Sequence, residues 1–105
     1  MDKKTDFSPP SHLSENSKKI WQTVVPATGR SLSRLALVQS GLESLDRANQ
    51  ARALIDAEGI IVNPEGGKML HLHPAIRLEK ESRAAFERAW KTLELFWDRP
   101  DLNVE

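Results

Sequence analysis

One interruption governs what this chain can fold into. Apolar side chains recur at helical spacing from about residue 31 to 58, and again from about 74 to 97. Between the two runs lies IIVNPEGGKMLHLH. Gly59 supplies a helix stop. Ile60, Ile61 and Val62 favour a strand, Asn63-Pro-Glu-Gly-Gly is rich in turn residues, and Lys68 to Leu72 return as a second strand. Pro74 suits the first position of a helix, where a missing N–H costs nothing. A strand, a turn and a strand reverse the chain, so the two long helices are free to fold back as a hairpin. A two-stranded ribbon is marginal alone and must lean on helices.

The rest of the chain fills in around that hairpin. Residues 1–11 are polar, contain Pro9-Pro10 and read as a flexible arm. A short helix is expected over about 14–25, with Ser14 as its cap and Glu15 in its first turn. Ile20, Trp21, Val24 and Val25 share one of its faces, with Leu13 just before it and Lys18 and Lys19 on the other side. Pro26 is expected to end it. Ser31 or Ser33 can cap the second helix, which places Leu35, Val38, Leu42, Leu45, Ala48 and Ile55 at helical spacing. Gln39-Ser40-Gly41 is its soft spot, where the helix bends or two helices meet, since Gly costs about 1 kcal/mol relative to Ala. The third helix carries Phe86, Ala89, Trp90, Leu93, Phe96 and Trp97 as an apolar stripe.

The expected fold is mainly α: a short N-terminal helix, then a long helical hairpin whose two helices are joined by a two-stranded β-ribbon. Residues 12–98 make one helical domain, with helices at about 14–25, 31–58 and 74–97 and the ribbon at about 60–72. Residues 99–105 are a polar tail. A chain of 105 residues fits a single domain with a modest core. Such a hairpin leaves side area uncovered, and self-association is one way to cover it. Trp21, Leu42, Leu45, Phe86, Trp90, Leu93 and Trp97 are the expected core or oligomer-interface residues.

Several functions are excluded or disfavoured. The chain has no cysteine, which rules out disulfides, thiolate chemistry and cysteine-based zinc fingers. No apolar run approaches the ~18 residues that would span a bilayer, and the N-terminus lacks the apolar core of a secretory signal. No membrane role is expected. Ser31, Ser33, Ser40 and Ser44 lack a nucleophile elbow. Gly66-Gly67 belongs to a turn, and no phosphate-cradling glycine motif is present. The carboxylates fall in helical charge mixtures, such as the i,i+4 pair Glu79 and Arg83. No catalytic residue and no cofactor are implied.

Two patterns remain. His71 and His73 share a strand face because the side-chain period is two, and that spacing suits half of a metal site. A zinc site needs three or four ligands, so the plainer reading puts His73 at the start of the third helix and His71 half-exposed. The charge pattern is the other. Net charge is zero, yet residues 1–55 hold eight basic and five acidic residues and the remainder seven basic and ten acidic. Lys3, Lys4, Lys18, Lys19, Arg30 and Arg34 could track a DNA backbone, which requires only positive charge at suitable spacing. The alternative is a set of solvated surface charges.

The order of landmarks adds a resemblance. PSHLSENSKKIWQTVVP, then a long helix, then ARALIDAEGIIV, a glycine-containing turn and HPAIR opening the last helix are similar to the small terminase subunits of double-stranded DNA phages. The resemblance covers roughly residues 9–95. It implies a non-enzymatic subunit that works in the cytoplasm of the bacterial host, assembles into a ring and recognises the packaging start on double-stranded phage DNA. The large terminase subunit, with its ATPase and nuclease, then receives that DNA. By the same resemblance the first helix belongs to the DNA-binding part, the hairpin to the oligomeric core, and the tail to contact with the large subunit. The segment after Pro26 and the ending LFWDRPDLNVE depart from the family pattern. A helical adaptor that binds only proteins, such as a prophage relic, is the alternative.

Overall fold

The computed structural model describes residues 8–28, 31–63 and 69–95. Lys3, Lys4, Arg30, Trp97, most of the turn between the strands and the C-terminal tail lie outside the described residues. The elements are α1 (Glu15–Thr28), α2 (Leu32–Glu58), β1 (Ile61–Val62), β2 (His71–Leu72) and α3 (Ala75–Leu93). The expected architecture is the one observed. The strands pair antiparallel with Ile61 opposite Leu72 and Val62 opposite His71.

Two boundaries differ from expectation, and the expected soft spot of α2 has a different role. Helix α1 runs through Pro26 to Thr28. So close to the end, proline removes only one helical bond, to the Gln22 carbonyl, and Gln22 is exposed to water. Side chains take over carbonyls at that end: Thr28 Oγ1 donates to Val25 O at 3.2 Å, and Arg34 Nε donates to Thr28 O. Helix α2 runs without interruption through Gly41, so two helices do not meet there. A Cβ at Gly41 would lie 2.8 Å from Trp90 Cζ3 and 3.1 Å from Ala89 Cβ, so the glycine is where α3 closes on α2. Helix α3 ends at Leu93, short of Trp97, because Glu94 turns left-handed (φ 60°, ψ 44°). Glu94 N–H donates to Lys91 O and Leu95 N–H to Trp90 O, both at 3.0 Å. That pair of bonds is a Schellman cap, and it folds Leu95 back into the core.

The caps of α2 follow the sequence. Ser31 Oγ accepts from Arg34 N–H at 3.2 Å, and Gly59 (φ 86°) donates its N–H to Ile55 O at 2.7 Å. Its 27 residues span about 40 Å at 1.5 Å per residue. The main core gathers Leu13, Trp21, Val24 and Val25 with Leu35, Val38, Leu42 and Leu45 of α2, and with Leu93 and Leu95. Phe86 and Trp90 pack on its flank, ring centroids 4.6 Å apart. Each fully buried aliphatic here is worth about 1.5–3 kcal/mol. Trp21, Leu42, Leu45 and Leu93 are thus core residues within one chain. Towards the ribbon the core shrinks to Ala51, Ile55 and Ala75, with Ile76 against them.

Candidate nucleic-acid interface

The first helix is held in place by a carboxylate that sequence reasoning missed. Asp46, buried on α2, accepts from Ser14 N–H (2.8 Å), Ser14 Oγ (2.7 Å) and Ser17 Oγ (2.6 Å). Ser14 Oγ in turn accepts from Ser17 N–H at 3.1 Å, so the expected N-cap is real and is itself gripped from α2. Burial alone would push Asp46 up; the bonds from Ser17 and Ser14, with the nearby His12, outweigh it and hold the carboxyl below its usual range. A signal for this was available. Ser17 lies four residues before Trp21, on the apolar face of α1, and a buried hydroxyl needs an acceptor. Beside it, Glu43 meets His12 Nε2 at 2.7 Å and Gln39 Nε2 at 2.9 Å. Those bonds, Gln39 first, lower the Glu43 pKa.

This docking turns Glu15, Lys18, Lys19 and Gln22 outward. Lys19 is exposed; Lys18 is partly covered and lies 3.5 Å from Glu15. Arg34 is used differently. Besides Thr28 O, its guanidinium donates to Leu93 O at 3.1 Å, so it ties the ends of α1 and α3 to the start of α2. Its charge is therefore committed to main-chain carbonyls, where it also complements two helix C-termini. The structure adds a stripe instead. Arg77, Lys80, Arg88 and Lys91 are exposed on the outer face of α3, opposite buried Ser82, Ala89 and Leu93, with exposed Glu81 and Glu87 among them. Arg77 is paired along the helix, to Glu81 at 3.4 Å. Lys80 to Lys91 spans about 16 Å.

The opposite flank of the hairpin is locked by ion pairs. Arg52 holds Glu79 through two bonds, Nη2 to Oε1 at 2.8 Å and Nε to Oε2 at 3.1 Å. Arg83, the expected i,i+4 partner, adds a third at 3.2 Å and reaches Asn49 at 3.4 Å. The bonds from Arg52, more than those from Arg83, lower the Glu79 pKa.

The histidines separate. His73 is buried at the joint between β2 and α3. Its Nδ1 accepts from Ala75 N–H at 3.0 Å, so the ring proton sits on Nε2 and is donated to Glu58 Oε1 at 2.7 Å. Its backbone N–H donates to Ile60 O at 2.7 Å and its carbonyl accepts from Ile76 N–H at 3.0 Å. His73 is thus the side-chain cap of α3, a task that Pro74, with helical dihedrals and no capping side chain, leaves open. His71 is exposed on β2. Among the described residues no three His, Asp or Glu side chains are grouped to hold a metal. No described helix is long and apolar enough to cross a membrane.

No family model matches the chain, and neither a curated protein nor a solved structure matches it.

Proposed function

We propose that the chain is a small-terminase-type subunit: an oligomeric, non-catalytic DNA-recognition component of a phage packaging machine. It would bind double-stranded viral DNA near the packaging start and pass it to the large subunit. The observation that carries this reading is the ordered landmark set from PSHLSENS to HPAIR. In three dimensions those landmarks fall at joints. Ser14 and Ser17 dock α1 on Asp46, Gly59 ends α2, and His73 caps α3. A sequence pattern tied to joints is what a shared architecture would preserve.

Basic side chains supply the binding chemistry. Lys18 and Lys19 on α1 and the stripe on α3 are surface cations that can meet phosphates without rearranging the core. Each copy offers few of them, so useful affinity would come from repetition around an oligomer.

The test is fluorescence anisotropy with labelled duplex DNA from the genome that encodes the chain, read at several salt concentrations. Binding should weaken steeply with salt. Lys18→Glu with Lys19→Glu should weaken it further and flatten the salt slope by about 0.9 for each phosphate no longer neutralised. Absence of any salt-sensitive affinity at low ionic strength would sink the reading and leave the protein-only adaptor.

A further inference from the structure

A cleft of about 550 Å³ opens where the ribbon meets the end of α2 and the start of α3. Glu58, the last residue of α2, forms one wall. Ile61, Val62 and Asn63 line it along β1 and just beyond, and His73 and Pro74 line it at the entry to α3. The volume falls within the range of about 300–1,000 Å³ that is usual for ligand sites. Ile61, Val62 and Pro74 supply an apolar wall, with Ile61 52% exposed to solvent. Glu58, His73 and Asn63 supply the polar atoms. An apolar lining with a few placed polar groups is how ligand sites are commonly built.

The polar groups differ in what they have left to offer. Both ring nitrogens of His73 are in use, Nδ1 accepting from Ala75 N–H and Nε2 donating to Glu58 Oε1. The ring cannot take a proton from a ligand or bind a metal without breaking one of those bonds. It holds the Glu58 carboxyl group instead. Glu58 Oε2 has no partner among the described residues, and the side chain is 54% exposed. The end of α2 also lacks a cation. Its last turn holds Asp56 and Glu58 and no basic residue, so the partial negative charge of a 27-residue helix adds to the carboxylates. Asp56 is met by Arg52, one turn back, at 3.3 Å. Glu58 has no such cation among the described residues. The other helix ends are served differently: Arg34 donates to the carbonyls of Thr28 and Leu93, and Lys91 lies in the last turn of α3.

From these observations we infer that the cleft binds an aliphatic ammonium, a cationic head on an unbranched alkyl stem, as a lysine side chain carries. The head donates to Glu58 at the negative end of α2, and the stem lies against Ile61, Val62 and Pro74. An ammonium suits the site better than a guanidinium. The planar fork of a guanidinium matches both oxygens of a carboxylate, and His73 already engages one of them. An ammonium is a compact point charge and needs only the other. The site lies at the end of the hairpin away from α1 and does not depend on DNA binding.

The test is a titration of isotope-labelled full-length protein, followed by amide NMR, with three probes: n-butylammonium, Nα-acetyl-lysine methylamide and the uncharged Nα-acetyl-norleucine methylamide. Both ammonium probes should give saturable shifts at the amides of Ile61, Val62 and His73 in the millimolar range, and the norleucine probe should not. Glu58→Gln keeps a carbonyl for His73 Nε2–H and removes the charge. It should weaken ammonium binding about tenfold with the helical circular dichroism unchanged. Added salt should weaken binding to the wild type, a second measurement that needs no variant. Equal affinity for the two ammonium probes assigns the cleft to a free alkylammonium. Tighter binding of the lysine probe assigns it to a basic segment of a partner protein. An equal response to the norleucine probe, affinity indifferent to salt and to Glu58→Gln, or no saturable shift at those amides overturns the inference. The DNA-binding reading stands or falls separately, on the anisotropy measurement.

Discussion

The ring of Trp90 closes over Gly41, and a Cβ there would stand 2.8 Å from Cζ3. Helix propensity alone says Gly41→Ala should stabilise α2 by about 1 kcal/mol. The close approach says otherwise, since overpacking costs about 1–3 kcal/mol. Trp90 is wedged against Phe86, and Ala89 Cβ sits 3.1 Å from the same point, so the ring has little room to retreat. Urea unfolding of Gly41→Ala should show a net loss of about 1 kcal/mol. In a Trp90→Ala background the same change should become stabilising.

Asp46 is one of the carboxylates through which acid should weaken the fold. Its pKa is depressed, as are those of Glu43 and Glu79. Groups with depressed folded values contribute stability that is present above their unfolded values, near 4, and lost as pH falls through the folded ones. Urea midpoints should therefore be flat from pH 7 to about 5 and fall below about 4. Asp46→Ala leaves the buried Ser17 hydroxyl without its acceptor and should cost about 2–3 kcal/mol at pH 7. The variant's acid decline should also be shallower than the wild type's.

How much of this was legible beforehand depended on the range of the cause. Gly59, Pro74 and the strand run act on their own neighbours, so the helix–ribbon–helix order could be read directly. Gly41 needs Trp90, Asp46 needs Ser14 and Ser17, and Arg34 needs the Leu93 carbonyl. Each pair is joined only by the tertiary fold. Arg34 looked like a phosphate ligand because charge is visible in a sequence and the carbonyls that absorb it are not. Helix α3 stops before Trp97 because Leu95 folds back into the core, a tertiary gain that periodicity does not register.

His73 joins α2 and α3 through one ring. Replacing it with alanine removes the acceptor for Ala75 N–H and the partner of Glu58. The cost should be about 1–2 kcal/mol, the usual range for removal of a helix cap. His73→Asn, which can still accept from that N–H, should recover part of it. Thermal melts of the two variants against wild type provide the comparison, and metal chelation should leave all three melts where they were.

Glu94 occupies a left-handed conformation without being glycine. Glu94→Gly should relieve that strain and stabilise the chain by about 0.5–1 kcal/mol, because glycine adopts this region freely. A melting temperature unchanged or lowered would mean the carboxylate does something at the end of α3 that its backbone angle does not reveal.

The core is uneven along the hairpin: large side chains pack where α1 lies, and only Ala51, Ile55 and Ala75 near the ribbon. The two ends should therefore not open together. Amide protons of the last two turns of α2 and the first turn of α3 should exchange with solvent through small local openings, while those around Val38 and Leu42 wait for the whole chain to unfold. The apolar tip can thus adjust its shape to whatever settles on it, at little cost to the end that carries α1.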